Sequence, residues 1–138
     1  MAIERENPAV QDLLTKLKAR VDALLLDYHF PVLAILRLGE DPAAVREEQT
    51  LLSCAEAVGV FVRRYIMPAD LTREDLELLI GQINADPLLT CLLLWQPLPA
   101  HLEEASAFSL IAPEKRVLQG DACEILQQVV SAAERRAQ

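Results

Sequence analysis

The sequence predicts an α/β fold: a three-layer domain with a short parallel sheet flanked by helices, closed by a C-terminal helix that packs back on the domain. Three observations carry this. Val32-Leu33-Ala34-Ile35-Leu36 and Leu89 to Leu94 are short, almost wholly apolar runs, as expected of strands buried on both faces. Segments with helical spacing of apolar residues separate the candidate strands. Strands that alternate with helices imply parallel pairing through right-handed crossovers. The chain has 138 residues, a length that suits a single domain, residues 1–138, with a real core.

The elements follow in order. Asn7 is a cap with Pro8 at the first helical position, and Val10, Leu13, Leu14, Leu17, Val21, Leu24 and Leu25 recur at helical spacing. Pro31 ends that helix, and Val32–Leu36 is the first strand. Gly39-Glu40-Asp41-Pro42 is a turn. Residues 43–58 form a helix stopped by Gly59. A second strand runs over 60–67, with a core from Val60 to Ile66, in which Phe61, Arg63, Tyr65 and Met67 alternate with Val62, Arg64 and Ile66. Asp70 caps the next helix, and Thr72-Arg73-Glu74-Asp75 matches a capping box. Leu76, Leu79, Ile80 and Ile83 are its inward stripe. Leu88 to Trp95 is the third strand, broken by Pro97-Leu98-Pro99. A short helix covers 101–110, and a last one covers 121–136 with Ile125, Leu126, Val129, Val130 and Ala133 on one side.

Composition narrows the function. The content is 52% hydrophobic but only 4% aromatic, and the net charge is −8. Such an acidic chain lacks the basic surface that nucleic acid or an anionic membrane demands. No apolar run reaches the length of a membrane span, and MAIERENPAV has acids and no apolar stretch, unlike a signal peptide. Cys54, Cys91 and Cys123 stand far apart in apolar surroundings, which suits buried free thiols in a reducing, cytoplasmic setting. His29 and His101 have no ligand partner three or four residues away, so neither a metal nor a cofactor is expected from spacing. The pairs Arg63-Arg64 and Lys115-Arg116 read as solvated surface charge.

Five segments share one further pattern: FPVLAILRLGEDPAA, CAEAVGV, MPADLTREDLELLIGQINADP, LLLWQPLP and APEKRVLQG. Together they resemble, nearly without gaps from Pro31 to Gln119, the folate-binding catalytic half of the bifunctional methylenetetrahydrofolate dehydrogenase/cyclohydrolase family. The resemblance implies a serine in the turn, a tyrosine and lysine four apart, a glutamine before the Pro-Leu-Pro and an aspartate near the end. Counted without gaps, those positions fall on Ala44, Glu47, Leu51, Trp95 and Leu118. Leucine has no titratable group for proton transfer, which is worth roughly two to four powers of ten in rate. A carboxylate at Glu47 stands where the resemblance implies a stacking ring, although a solvated helix residue is its plainer reading. A bulge near Gln96 would restore an inward amide.

The resemblance further implies a dinucleotide-binding half, which would need a Gly-x-Gly-x-x-Gly turn that this sequence lacks. CEILQQVVSAAERR looks like the family's returning last helix, as though the dinucleotide half were excised near Gly120. Three readings follow. The chain is a non-catalytic relative that binds a protein partner or a second copy of itself, a small-molecule module for a folate-like ligand, or an enzyme with residual cyclohydrolase activity in one-carbon metabolism. The first is preferred. Ala44, Glu47, Leu51, Trp95, Gln96, Pro97 and Leu118 are the candidate cleft or interface residues, with Leu51, Trp95 and Leu118 expected to converge as an exposed apolar patch that supports a homodimer.

Overall fold

The computed structural model describes residues 6–138, so the reading of residues 1–5 as free of a signal segment lies outside the described part. Helix α1 spans Pro8–Leu26, strand β1 Val32–Leu38, helix α2 Pro42–Val58, strand β2 Phe61–Met67, helix α3 Arg73–Ala85 and strand β3 Cys91–Leu94. The short helix α4 covers Glu104–Ser109, a single 3-10 turn covers Pro113–Lys115, and helix α5 covers Ala122–Arg136. The sheet is parallel in the order β2-β1-β3. Val32 pairs with Phe61 and Leu33 with Cys91.

The strand period of two sorts the core into two layers. Leu33, Ile35, Cys91 and Leu93 face one side, where they meet Leu14, Leu17 and Val21 of α1, Leu51, Cys54 and Val58 of α2, and Ile125, Leu126 and Val129 of α5. Ala34, Leu36, Leu92 and Leu94 face the other side, against Leu76, Ile80 and Ile83 of α3 and Ala107 of α4. Central strand β1 is therefore buried on both faces, as its apolar run implies. Helix α5 packs on α1 and α2, so the C-terminal helix does return to the domain.

Local signals start and stop these helices. Asn7 Oδ1 accepts from the Ala9 amide at 2.8 Å, and Asp121 and Glu124 complete a reciprocal capping box on α5. Gly59 closes α2 with φ of 92°, and a Cβ there would lie 3.2 Å from Val21 Cγ1, so both backbone and packing select glycine. Four expectations need correction. Thr72, not Asp70, caps α3, through the Asp75 amide. Strand β3 is shorter than 88–95, because Asp86 draws the Leu88 and Leu89 amides into a turn. Helix α4 begins at Glu104, after the Glu104 carboxylate has captured the Leu98 amide at 2.8 Å. The fourth is Lys115. Far from being solvated, it is buried, and its Nζ donates to the carbonyls of Ile83, Asn84 and Asp86 at 2.9, 3.0 and 2.7 Å. Burial, and then repulsion from Arg136, lowers its pKa.

Arg20 and Glu134 tie α1 to α5, with Nη2–Oε1 at 2.6 Å and Nε–Oε2 at 3.1 Å. The hydrogen bond from Arg20 holds the Glu134 carboxyl below its ordinary pKa despite partial burial. A depressed carboxyl stabilises the fold above its unfolded pKa, and that contribution is lost as pH falls through the folded value. Replacing Glu134 with Gln should therefore flatten the acid limb of the stability–pH curve below about pH 4.5. The loss at neutral pH should stay under about 1 kcal/mol, since both side chains remain more than a third exposed. Urea unfolding at a series of pH values measures it, and an unchanged acid limb would refute the pair's role.

Candidate functional site

The carboxyl ends of β1 and β3 and the first turns of α2 form the end of the sheet that the candidate residues were expected to share. Open parallel sheets bind ligands at this end. Asp41 caps α2 through the Ala44 amide, which fixes Ala44, half-buried, on the first turn. Glu47 is exposed one turn on. Leu51 is only 1% exposed and Trp95 5%, and both belong to the core layer under α1, α2 and α5. Gln96 and Pro97 are exposed just after β3, joined by a cis peptide bond. Leu118 is 67% exposed.

The expected convergence of Leu51, Trp95 and Leu118 on an exposed patch is thus corrected. Leu51 lies on the inward stripe of α2 with Ala55 and Val58. The Trp95 amide continues the ladder to the Leu36 carbonyl at 2.9 Å, which keeps the indole on the core face of β3. Of the candidate residues, Gln96 and Leu118 do share a groove. It has a volume of about 540 Å³, and its walls include Leu94, Phe108 and Val117.

Amide side chains brace the wall of that groove. Gln119 Oε1 accepts from the Gln96 amide at 2.7 Å while its Nε2 donates to the Gln96 carbonyl at 3.2 Å. Gln128 of α5 makes the same reciprocal pair with the backbone of Leu118, at 2.8 and 2.9 Å. Each glutamine mimics a strand neighbour, so the 118–119 segment is held between the end of β3 and α5 without being a strand. Glu104 is the one titratable residue lining the groove, and its carboxylate is engaged by the Leu98 amide.

A second, buried arrangement escaped the sequence reading. Glu48 is fully buried and shared by two guanidinium groups. Arg37 Nε lies 3.4 Å from Oε1, and Arg64 Nη2 lies 2.7 Å from Oε2. Arg37 also donates to the Gly39 carbonyl and approaches Glu40 at 3.8 Å. The trio pins β1, β2 and α2 together beneath the turn at 39–42. One signal was available. Glu48 falls on the same helical stripe as Leu51, Ala55 and Val58, and Arg37 interrupts an otherwise apolar strand.

Two further observations bound the chemistry. Among the described residues, no group of three or more His, Cys, Asp or Glu is placed to hold a metal ion, and no helix is long and apolar enough to cross a membrane. Burial pushes the Cys91 thiol up to about 12, far from the range of a reactive thiolate.

A parallel sheet covered on both faces by helices, with a groove at its carboxyl end, defines a three-layer α/β domain. The family model described as the tetrahydrofolate dehydrogenase/cyclohydrolase catalytic domain matches residues 6–117, and the chain belongs to that family. Among similar proteins, the bifunctional protein FolD of Phenylobacterium zucineum is 35% identical over 115 residues, covering 83% of this chain and 36% of that protein. The bifunctional protein FolD of Geobacillus thermodenitrificans is 42% identical over 90 residues, covering 63% of this chain and 31% of that protein. The solved methylenetetrahydrofolate dehydrogenase-cyclohydrolase of Trypanosoma brucei, in complex with NADP and an inhibitor, superposes with a TM-score of 0.74 at 25% identity, over 83% of this chain and 39% of that one. The Campylobacter jejuni enzyme, at 21% identity and a TM-score of 0.76 over 84% of this chain and 42% of that one, shares the fold. The chain spans roughly a third of the length of the curated relatives it matches.

Proposed function

We propose that this chain is a non-catalytic relative of the tetrahydrofolate dehydrogenase/cyclohydrolase enzymes and works as an interaction module, self-associating as a homodimer through the groove at the carboxyl end of β3. The observation that carries the reading is Leu51. On the correspondence drawn from the sequence it occupies the place of a proton-transferring lysine, and it is a 1% exposed core residue. Glu47 points to solvent, Leu118 is exposed where a polar contact would be needed, and the one titratable group lining the groove is already engaged. Polar groups that would meet a ligand edge are paired within the chain, through Gln119 and Gln128. What remains open is apolar: Leu118 beside half-buried Phe108, the kind of surface that marks a partner site. A contact of this sort between identical chains closes by two-fold symmetry.

Purified protein should neither oxidise methylenetetrahydrofolate with a nicotinamide cofactor nor hydrolyse methenyltetrahydrofolate above the uncatalysed rate. Sedimentation should show a dimer that Leu118→Asp weakens about tenfold or more, because a charge is placed in a desolvated contact. A cyclohydrolase rate abolished by Glu47→Gln would overturn the reading, as would a monomer at high micromolar concentration.

A second reading, a small-molecule module for a folate-like ligand, is favoured by the groove's volume of about 540 Å³, which lies in the usual range for ligand sites. Titration with a reduced folate, followed by Trp95 fluorescence next to Gln96, decides between the two.

A further inference from the structure

The opposite end of the sheet carries a second cavity. It has a volume of about 610 Å³ and is walled by Tyr28, Phe30, Phe61, Leu88 and Arg136. The chain has six aromatic residues, one Trp, two Tyr and three Phe, and three of them stand here. They are not core residues: Tyr28 is 82% exposed, Phe30 53% and Phe61 52%. Elsewhere the core is almost wholly aliphatic, so half of the aromatic content has been placed on one open surface.

Two of the rings meet each other, and the backbone that carries them is fixed. Phe30 and Phe61 meet edge to face at 6.0 Å and 71°. Thr90, 1% exposed, donates its hydroxyl to the Phe30 carbonyl at 3.5 Å and accepts from the Val32 amide at 3.0 Å, fixing the entry to β1. Tyr28 adopts φ of 60°, a conformation uncommon outside glycine. It turns the chain so that the His29 amide returns to the Leu24 carbonyl at 3.0 Å.

The polar wall is cationic. Arg136 donates to the carbonyls of Leu89 and Pro87 at 3.0 and 2.6 Å, which locks its guanidinium at the cavity. It has no carboxylate partner among the described residues, whereas neighbouring Arg63 is paired with Asp86 at 3.0 Å. A guanidinium carries five N–H donors in a rigid fork, so several remain for a ligand. A fixed cation with no carboxylate partner among the described residues thus stands beside three exposed rings.

We propose that this cavity is a binding site for a small planar aromatic anion, its ring received against the wall formed by Phe30, Phe61 and Tyr28 and its carboxylate or phosphate received by Arg136. The volume suits such a ligand, and rings plus a preorganised guanidinium supply both stacking area and a charge-assisted hydrogen bond. The site lies at the amino-terminal ends of the strands, away from the groove at Leu118, so it stands or falls independently of the role proposed for that groove.

The test is calorimetric titration of the full chain with 2-naphthoate and with neutral 2-naphthalenemethanol. Saturable one-to-one binding of naphthoate is expected with a dissociation constant on the order of a millimolar or tighter. The neutral analogue and the Arg136→Gln variant should each bind about tenfold more weakly. Phe61→Ser, at a half-exposed position, should also weaken naphthoate while leaving the thermal melt nearly unchanged. Should Arg136→Gln fail to fold, the comparison of the two probes on the unaltered chain decides alone. Equal affinity for the two probes, or no saturation up to the solubility limit of naphthoate, overturns the proposal. So does a dimer that Phe61→Ser dissociates and naphthoate leaves intact, since the aromatic wall would then receive a second copy.

Discussion

Glu48→Ala should lower the unfolding free energy by about 3–5 kcal/mol, the cost typical of removing one partner from a buried ion pair. Glu48 is 0% exposed and Arg37 is 3% exposed. With the carboxylate gone, Arg37 keeps the Gly39 carbonyl and a distant Glu40 as partners. Arg64, half-exposed, can turn to water, so the penalty concentrates on Arg37. Glu48→Gln retains the shape and an acceptor oxygen but loses the charge, and should cost less than the alanine change. The double change Arg37→Met with Glu48→Leu should recover most of the loss, because well-packed apolar replacements of buried pairs are often neutral or better. Urea unfolding of the four proteins measures all of this. A loss under about 1 kcal/mol for Glu48→Ala would mean that the trio contributes little.

Lys115→Met should destabilise the protein by roughly 2–4 kcal/mol, the scale of losing charge-assisted hydrogen bonds and leaving acceptors unpaired. One ammonium serves three carbonyls at the C-terminal end of α3, those of Ile83, Asn84 and Asp86. A cation at that end also meets the favourable end of the helix dipole. Methionine fills similar space and donates nothing. Desolvation already weighs against the charged lysine, and relief of that cost keeps the expected loss below the sum of three such bonds. Amide exchange in the last turn of α3 should rise together with the drop in the urea midpoint. A midpoint that falls while α3 exchange is unaltered would place Lys115's contribution elsewhere.

The family frame was legible because turns and caps are local. Asn7 and Gly59 act on neighbours within a few residues and appear as read, while the last residue of the expected 39–42 turn, Pro42, opens α2 instead. The candidate site was legible only in part. Gln96 and Leu118 line one groove, but Leu51 and Trp95, which were expected to converge with Leu118, do not join them. A linear count assigns positions along a strand or helix. It does not say whether a large apolar residue fills a cleft or turns into the layer behind it.

By itself, then, the sequence determined the layers of this protein. All-apolar runs require strands covered on both faces, and helical stripes require helices to cover them, since apolar area must leave water wherever the chain goes. Only the tertiary structure decided which polar groups meet. Arg37 finds Glu48 across 11 positions, Gln119 finds Gln96 across 23 and Lys115 finds Ile83 across 32. Hydrogen bonds are short and directional, so such pairings depend on where the packed layers bring distant segments, and no periodicity along the chain encodes that.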